Sequence, residues 1–501
     1  MIPFGSYLPD LPALENPGAT VANNVIPRLK GPDGGTVYGP LANTSITGSA
    51  LPSRVLGAFS CKDYDGNSET FAGTTTALFR LVSGVWDDVT GTAYTTADDE
   101  TWEFAQFGLR VLATGFNDAI QSYVIGTSTD FANLAAAAPR ARHLAVVKEF
   151  VMALNTSDPT DGVVPHRAWW CAIDDPTNWP TPGTASAASV QSDRQDLMVG
   201  GWGQSIIGAV GGADGAVFKE TAIYRIAYEG PPTVFGFYEI ERAQGTPFPN
   251  SVVNVGPFAV YIGQDGFYRF NGAASEPIGE RRVDRTILAD IDMSYRHRVY
   301  GVADHDQHLI FWAYPTTAAT SGNPNRLASW NWVTGDFSVS DGLAFELIFP
   351  EFPKGLTLED LDTISTSLDT LPLSLDSRAW TGGRRRIAGF NGSNQLVTFQ
   401  GTNLAATLET GEFGSPSGRR VRVNGFRPLV DGGTITGLVR SRNLLSESLT
   451  NSVSQSANPG TGIVPARIDA RYVRARVSIA AGGTWTHAQG IEPVMMEGSQ
   501  R

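Results

Sequence analysis

The residues able to do chemistry in this sequence are few and scattered. Of the six histidines at 143, 166, 297, 305, 308 and 487, only the "DHDQH" pair at 304–308 clusters. A metal site needs further ligands at strand or helix spacing. This motif lies between two strand-like runs and reads instead as a polar hairpin turn. "DYDGN" at 63–67 has two carboxylates and a glycine in the style of a calcium loop, but lacks the third ligand and the closing Glu, so it too reads as a turn. The glycine-rich "MVGGWGQSIIGAVGGADG" at 198–215 has no Lys-Ser or Lys-Thr after it and no long helix to offer a phosphate. Cys61 and Cys171 stand 110 residues apart and match no paired spacing, which suits small buried side chains.

A glycosidase needs two carboxyl groups facing one sugar. The pairs Asp87–Asp88, Asp98–Asp99 and Asp174–Asp175 are adjacent in sequence, so on a strand their members point to opposite faces. The one constellation that suits a glycan is "RAWWCAIDDPTNW", where Trp169, Trp170 and Trp179 accompany Asp174 and Asp175. Packing of these aromatics between neighbouring sheets is the favoured reading. The sequence therefore predicts no catalytic, cofactor-binding or metal-binding residue, and a protein that is not an enzyme.

A third kind of signal is repeated. "LFRL" at 78–81, "IYRI" at 223–226 and "FYRF" at 267–270 spell one pattern three times. On a strand, Phe267 and Arg269 share one face while Tyr268 and Phe270 share the other. Arg80, Arg225 and Arg269 then either cover an aromatic or pair with a carboxylate at an interface between sheets. A ring of these arginines lining a channel is the less favoured alternative.

These motifs need elements to hold them, and their spacing says which. The last two copies are 44 residues apart and the first two 145, close to three further steps. Four short strands per 40 to 50 residues is the period of β-propeller blades. Segments 54–90, 102–126, 142–179, 205–240, 252–272 and 297–340 each carry alternating apolar runs broken by turn residues, and 385–401 is a seventh fragment. The only helical candidates are short, near 284–294 and 130–138. The expected fold is all-β: a β-propeller of six or seven irregular blades over 51–405, an extended proline-rich N-terminal arm over 1–50, and a C-terminal β-sandwich-like domain over 406–501. An acidic, leucine-rich stretch at 342–378 keeps no clean period and reads as an insertion.

Composition agrees: 55 Gly and 30 Pro among 501 residues, with only 17% charged, favour tight turns over helical bundles. A net charge of −13 argues against a protein that grips phosphates. No run of about 18 apolar residues is present to span a membrane, and the N-terminus lacks the basic start of a secretory signal.

Several longer stretches resemble a known family: "FGSYLPDLPALENPG" at 4–18, "NNVIP" at 23–27, "WWCAIDDPTNW" at 169–179, "GQDGFYRFNG" at 263–272, "PIGERRVDRTILADID" at 277–292 and "TWTHAQG" at 484–490. They are similar to the tail nozzle or tail hub proteins of short-tailed bacteriophages, also called tail tubular protein B, and the likeness runs over most of the chain. The resemblance implies a structural virion protein built around a propeller, assembled in the host bacterial cytoplasm. It implies a homohexameric ring beneath the portal and adaptor rings, neighbouring tail fibres or tailspikes, and a lumen through which double-stranded DNA leaves during host entry. It implies no catalytic residues. The alternative expectation is a virion-associated propeller that binds or cleaves host-surface glycan through the tryptophan cluster.

Overall fold

Turn chemistry sets the strand lengths. In a computed structural model describing residues 1–31, 35–355, 367, 384–414 and 419–497, Gly57–Lys62, Ser68–Gly73, Leu78–Val82 and Val85–Asp88 pair antiparallel in sequence order. Asp63 turns the chain after the first strand, because its carboxylate accepts from the backbone N–H of Asp65 (2.9 Å) and Asn67 (2.8 Å). Ser83 and Gly84, both at positive φ, make the two-residue turn before the fourth strand. This four-stranded sheet is blade 1.

Six more follow the same order. Blade 2 spans Glu103–Phe107 to Ala132–Asn133, blade 3 Arg140–Val147 to Asp193–Asp196, and blade 4 Ile206–Val210 to Val234–Arg242. Blade 5 spans Val253–Asn254 to Ser275–Pro277 and blade 6 Tyr300–Asp304 to Phe337–Ser340. Blade 7 takes three strands from Leu347–Glu351, Arg386–Phe390 and Gln395–Thr398, and its outer strand, Ser45–Ala50, from the other end of the chain. The ring closes where the first strands of blades 7 and 1 pack together. There the Trp86 indole N–H donates to the Ser49 carbonyl at 3.0 Å and its ring lies 5.6 Å from Phe390. The fold is a seven-bladed β-propeller, with its apolar clusters in the seams between blades, as with Phe71, Tyr123 and Phe131 between blades 1 and 2.

Three expectations change. The stretch 342–378 does not begin as an insertion: Leu347, Ile348 and Phe349 are buried in the first strand of blade 7. A strand buried on both faces has no alternation to read. The excursion starts after Glu351, and 356–366 and 368–378 lie outside the described residues. In place of the helix expected near 130–138 stands the two-residue outer strand of blade 2, Ala132–Asn133, followed by a turn, because Phe131 is drawn into the seam with blade 1 and overrides the alanine preference.

The proline-rich residues 1–50, expected as an arm, are strands of other sheets. Ile2–Pro3 pairs with 490–491, and Val25–Lys30 and Thr36–Pro40 form a hairpin beside Ala488–Glu497. Val21–Asn23 lies between the outer strand of blade 6 and Ala406–Glu409. The second unit is accordingly a sandwich of two sheets. One holds the hairpin with Ala488–Glu497, Val421–Val430 and Val464–Ala470; the other holds Val21–Asn23, Ala406–Glu409, Tyr472–Ile479 and Ile435–Arg442. Since Val21–Asn23 joins both units, blade 6 and the second sandwich sheet form one continuous ten-stranded sheet. The apolar side chains of this arm suit a segment that lies along its own domain, and Pro3 and Pro40 fall at strand ends while Pro27 adjoins a register shift, where a missing N–H removes little from the ladder.

Candidate functional site

The arginine pattern occupies the third strand of blades 1, 4 and 5. Strands are about 4.8 Å apart, so these side chains stand well off the axis and line no bore. Arg80 donates to the Tyr123 hydroxyl of blade 2 at 2.8 Å and lies 3.7 Å from Glu69. Arg225 pairs with Asp214 at 3.6 Å, and Arg269 with Glu276 beneath the Phe258 ring. Only Arg80 ties two blades. The aromatic partners behave as alternation requires: Phe267 packs 4.9 Å from Trp312 of blade 6, while Phe270 meets Phe218 of blade 4 edge-on at 5.9 Å.

The tryptophan cluster is core. Trp169, Trp170 and Trp179 are all buried. Trp170 stands edge-on to Phe235 of blade 4, and its indole donates to the Gln191 carbonyl at 2.9 Å. Asp175 spends its carboxylate on the N–H and hydroxyl of Thr177. No ring is free to stack on a sugar, and the two carboxylates do not converge on a pocket. "DHDQH" is the hairpin turn of blade 6, closed by N–H bonds from Asp306 and Gln307 to the Asp304 carboxylate. Cys61 and Cys171 are buried free thiols whose pKa values burial pushes up to about 12. Among the described residues, no group of three or more His, Cys, Asp or Glu could hold a metal ion, and no helix is long and apolar enough to cross a membrane.

The first strands instead surround an axial cavity of about 300 Å³, reached by Gly57, Phe104, Gly208, Val252, Gly301 and Phe349. At about 30 Å³ per water molecule it has room for about ten waters. A duplex, whose major groove alone is about 12 Å wide, has no room there. One mouth of this axis, about 360 Å³, is polar and includes Glu100, Arg142, His143, Asn155, Arg296 and His297. Arg142 pairs with Glu100 at 2.6 Å, and His143 Nδ1 meets Glu103 at 2.7 Å. Burial raises the Glu100 carboxyl despite Arg142, and burial with Arg298 and Arg54 nearby lowers His297. At this mouth Glu100 and Glu103 are already engaged by arginine and histidine, and Asp99 lies beside them.

The largest ionic cluster lies where the propeller joins the sandwich. Glu409, fully buried, accepts from Arg440 at 3.1 Å and Arg476 at 2.7 Å, and from the Thr20 hydroxyl at 3.0 Å. Glu412 pairs with Arg442 at 2.8 Å and Arg474 at 3.1 Å. Desolvation opposes the Glu409 charge, but the arginines prevail and hold its carboxyl below the ordinary range. "RSR" at 440–442 and "RAR" at 474–476 carried the signal, since alternation puts all four arginines on one face.

No protein-family model matches this chain, and no curated protein matches it. Among solved structures it is similar to a computationally designed protein, Ika8, at 8% identity over 72% of this chain and 99% of that one, with a TM-score of 0.37. It is similar to the WD40 domain of Pan2 from Neurospora crassa at 7% identity over 61% and 88%, with a TM-score of 0.36. A chain of a mitotic checkpoint complex gives 8%, 62% and 88%, with a TM-score of 0.35. The propeller assignment rests on the chain's own sheet order and ring closure.

Proposed function

We propose that this chain is the structural subunit of a ring at the end of a short phage tail, a homohexamer that extends the portal and adaptor channel and conducts the genome during ejection. The observation that carries the reading is where the family-like stretches meet. Phe4 donates its N–H to Gln489 at 3.0 Å, which joins the 4–18 stretch to 484–490. Asp10 accepts from the N–H groups of Arg285 (2.8 Å) and Thr286 (2.9 Å) at the start of the helix Asp284–Asp290, within 277–292. Phe267, in 263–272, donates its N–H to the Asp284 carboxylate at 3.1 Å. The stretches 4–18, 263–272, 277–292 and 484–490 thus meet at the joint between propeller and sandwich, while 169–179 lies in blade 3.

The conduit in this reading runs between copies, since the propeller's own axial cavity of about 300 Å³ is too small for a duplex. Six copies would carry six times −13, a field that keeps a duplex centred, whereas a basic wall would bind phosphates and retard it. The ring meets the adaptor or portal on one side and fibres or tailspikes on its flank. Electron microscopy of the purified protein and of virion tails tests this. A sixfold ring with an opening lined by Asp and Glu is expected; a monomer, a strongly basic lumen or release of oligosaccharide from host envelope overturns it.

A further inference from the structure

The chain is electrically polar. Residues 406–501 carry eleven Arg and no Lys against seven Asp and Glu, a net +4, while 1–405 carry 26 basic and 43 acidic residues, a net −17. The acidic excess is dense in blades 1 and 2, where 57–133 hold eleven Asp and Glu against three Lys and Arg.

The positions of the two charges follow from topology. The sandwich extends the sheet of blade 6 outward, beyond its outer strand. Counting round seven blades, blade 2 is three steps from blade 6, as far as the ring allows. Basic and acidic surfaces therefore sit on opposite flanks of one subunit. That is the arrangement a head-to-tail ring requires, because each copy must present two different complementary patches.

The sandwich flank also has the other marks of a contact surface. Arg419, Arg422, Arg467 and Arg471 are exposed, and none forms an ion pair with a described residue. Arg422 lies opposite Met496 across the sheet, and Val494 and Met496 are 41% and 58% exposed. Past Ile491, the strand Ala488–Glu497 has a described partner on one side only. Methionine and arginine beside an open strand edge are what interfaces enrich. Two steps round the ring from blade 6, the outer strand of blade 1 presents exposed Val85, Asp87 and Asp88.

We propose that the arginine-bearing sandwich face of one copy docks on the acidic outer rim of blades 1 and 2 of the next copy, making the subunit contact heterologous and electrostatic. This rests on the ring proposed above and names the surfaces that would close it.

Sedimentation velocity and electron microscopy of the full chain test it. Wild-type rings should dissociate between 0.1 M and 1 M NaCl, where the screening length falls from about 10 Å to about 3 Å. A chain with Arg422→Glu and Arg467→Glu should associate at least tenfold more weakly while its thermal melt stays unchanged. Adding Asp87→Lys and Asp88→Lys to that same chain should restore association in part, since two charges on each side are then reversed together. Rings that survive 1 M salt, or that ignore the arginine reversals, overturn the inference and leave the ring reading standing. Weakened association that the aspartate reversals do not rescue overturns the assignment of blades 1 and 2. A reversal that abolishes binding of a duplex oligonucleotide but leaves rings intact assigns the face to nucleic acid and overturns it too. A wild type with no ring in any salt removes the ring reading itself.

Discussion

Asp284 is a carboxylate held where charge is poorly tolerated. It is nearly buried, accepts from the Phe267 N–H, and fits only because Gly266 and Gly279 have no side chains: a Cβ on either would lie 2.3 or 2.0 Å from its oxygens. Burial pushes its pKa up to about 7. A folded-state value above the unfolded one means the native state binds the extra proton, so stability falls as pH rises from about 4 through about 7. Asp284→Asn keeps the acceptor and removes the charge. It should raise the melting temperature over wild type at pH 8, by an effect of about 2–4 kcal/mol, and by much less at pH 5. An equal difference at both pH values would refute the burial argument. The glycines around Asp284 were visible in "GQDGFYRFNG" and "PIGER", but nothing in sequence said that they serve one carboxylate.

At the scale of elements, blade 7 is completed by a strand from the other end of the chain, and Trp86 fastens it. Its backbone N–H and indole both reach Ser49, and its ring covers Phe390. Trp86→Ala removes the indole bond and the ring contact together and should cost about 2 kcal/mol, less than a fully buried aromatic. Limited proteolysis should then cut near 41–56 before anywhere else in the propeller; cleavage unchanged from wild type would show that the seam is held elsewhere. Periodicity made the blades legible because "LFRL", "IYRI" and "FYRF" occupy the same third-strand position. It failed at "ELIFPE", where burial on both faces erases alternation, and at 130–138, where one seam residue outweighs a run of alanines.

For the whole molecule, the joint is the least legible part of the sequence. The prolines of 1–50 predicted extended chain, and extended it is, but pairing between residues hundreds of positions apart leaves no local trace. Its consequence is testable. A chain beginning at residue 51 loses the outer strand of blade 7 and four strands of the sandwich. It should be recovered as aggregate, or as a protein whose 406–497 region is digested rapidly; a soluble chain melting like wild type would show that the two units stand alone. The turn and core readings of "DHDQH" and the tryptophans were legible from their spacing, while the Glu409 knot lay in an alternation of arginines whose acidic partner sits on another strand.

The lacing of the N-terminus has a meaning for synthesis. Ile2–Pro3 pairs with residues 490–491 and Ser45–Ala50 with 395–398. At roughly 5–20 residues per second on the ribosome, the first strands made wait tens of seconds for partners that do not yet exist. Blade 7 cannot be finished until residue 398 has been made, nor the sandwich until residue 491 has. The strands made first are thereby among the last to be paired, whereas blades 1 to 5 close from neighbouring strands as they emerge.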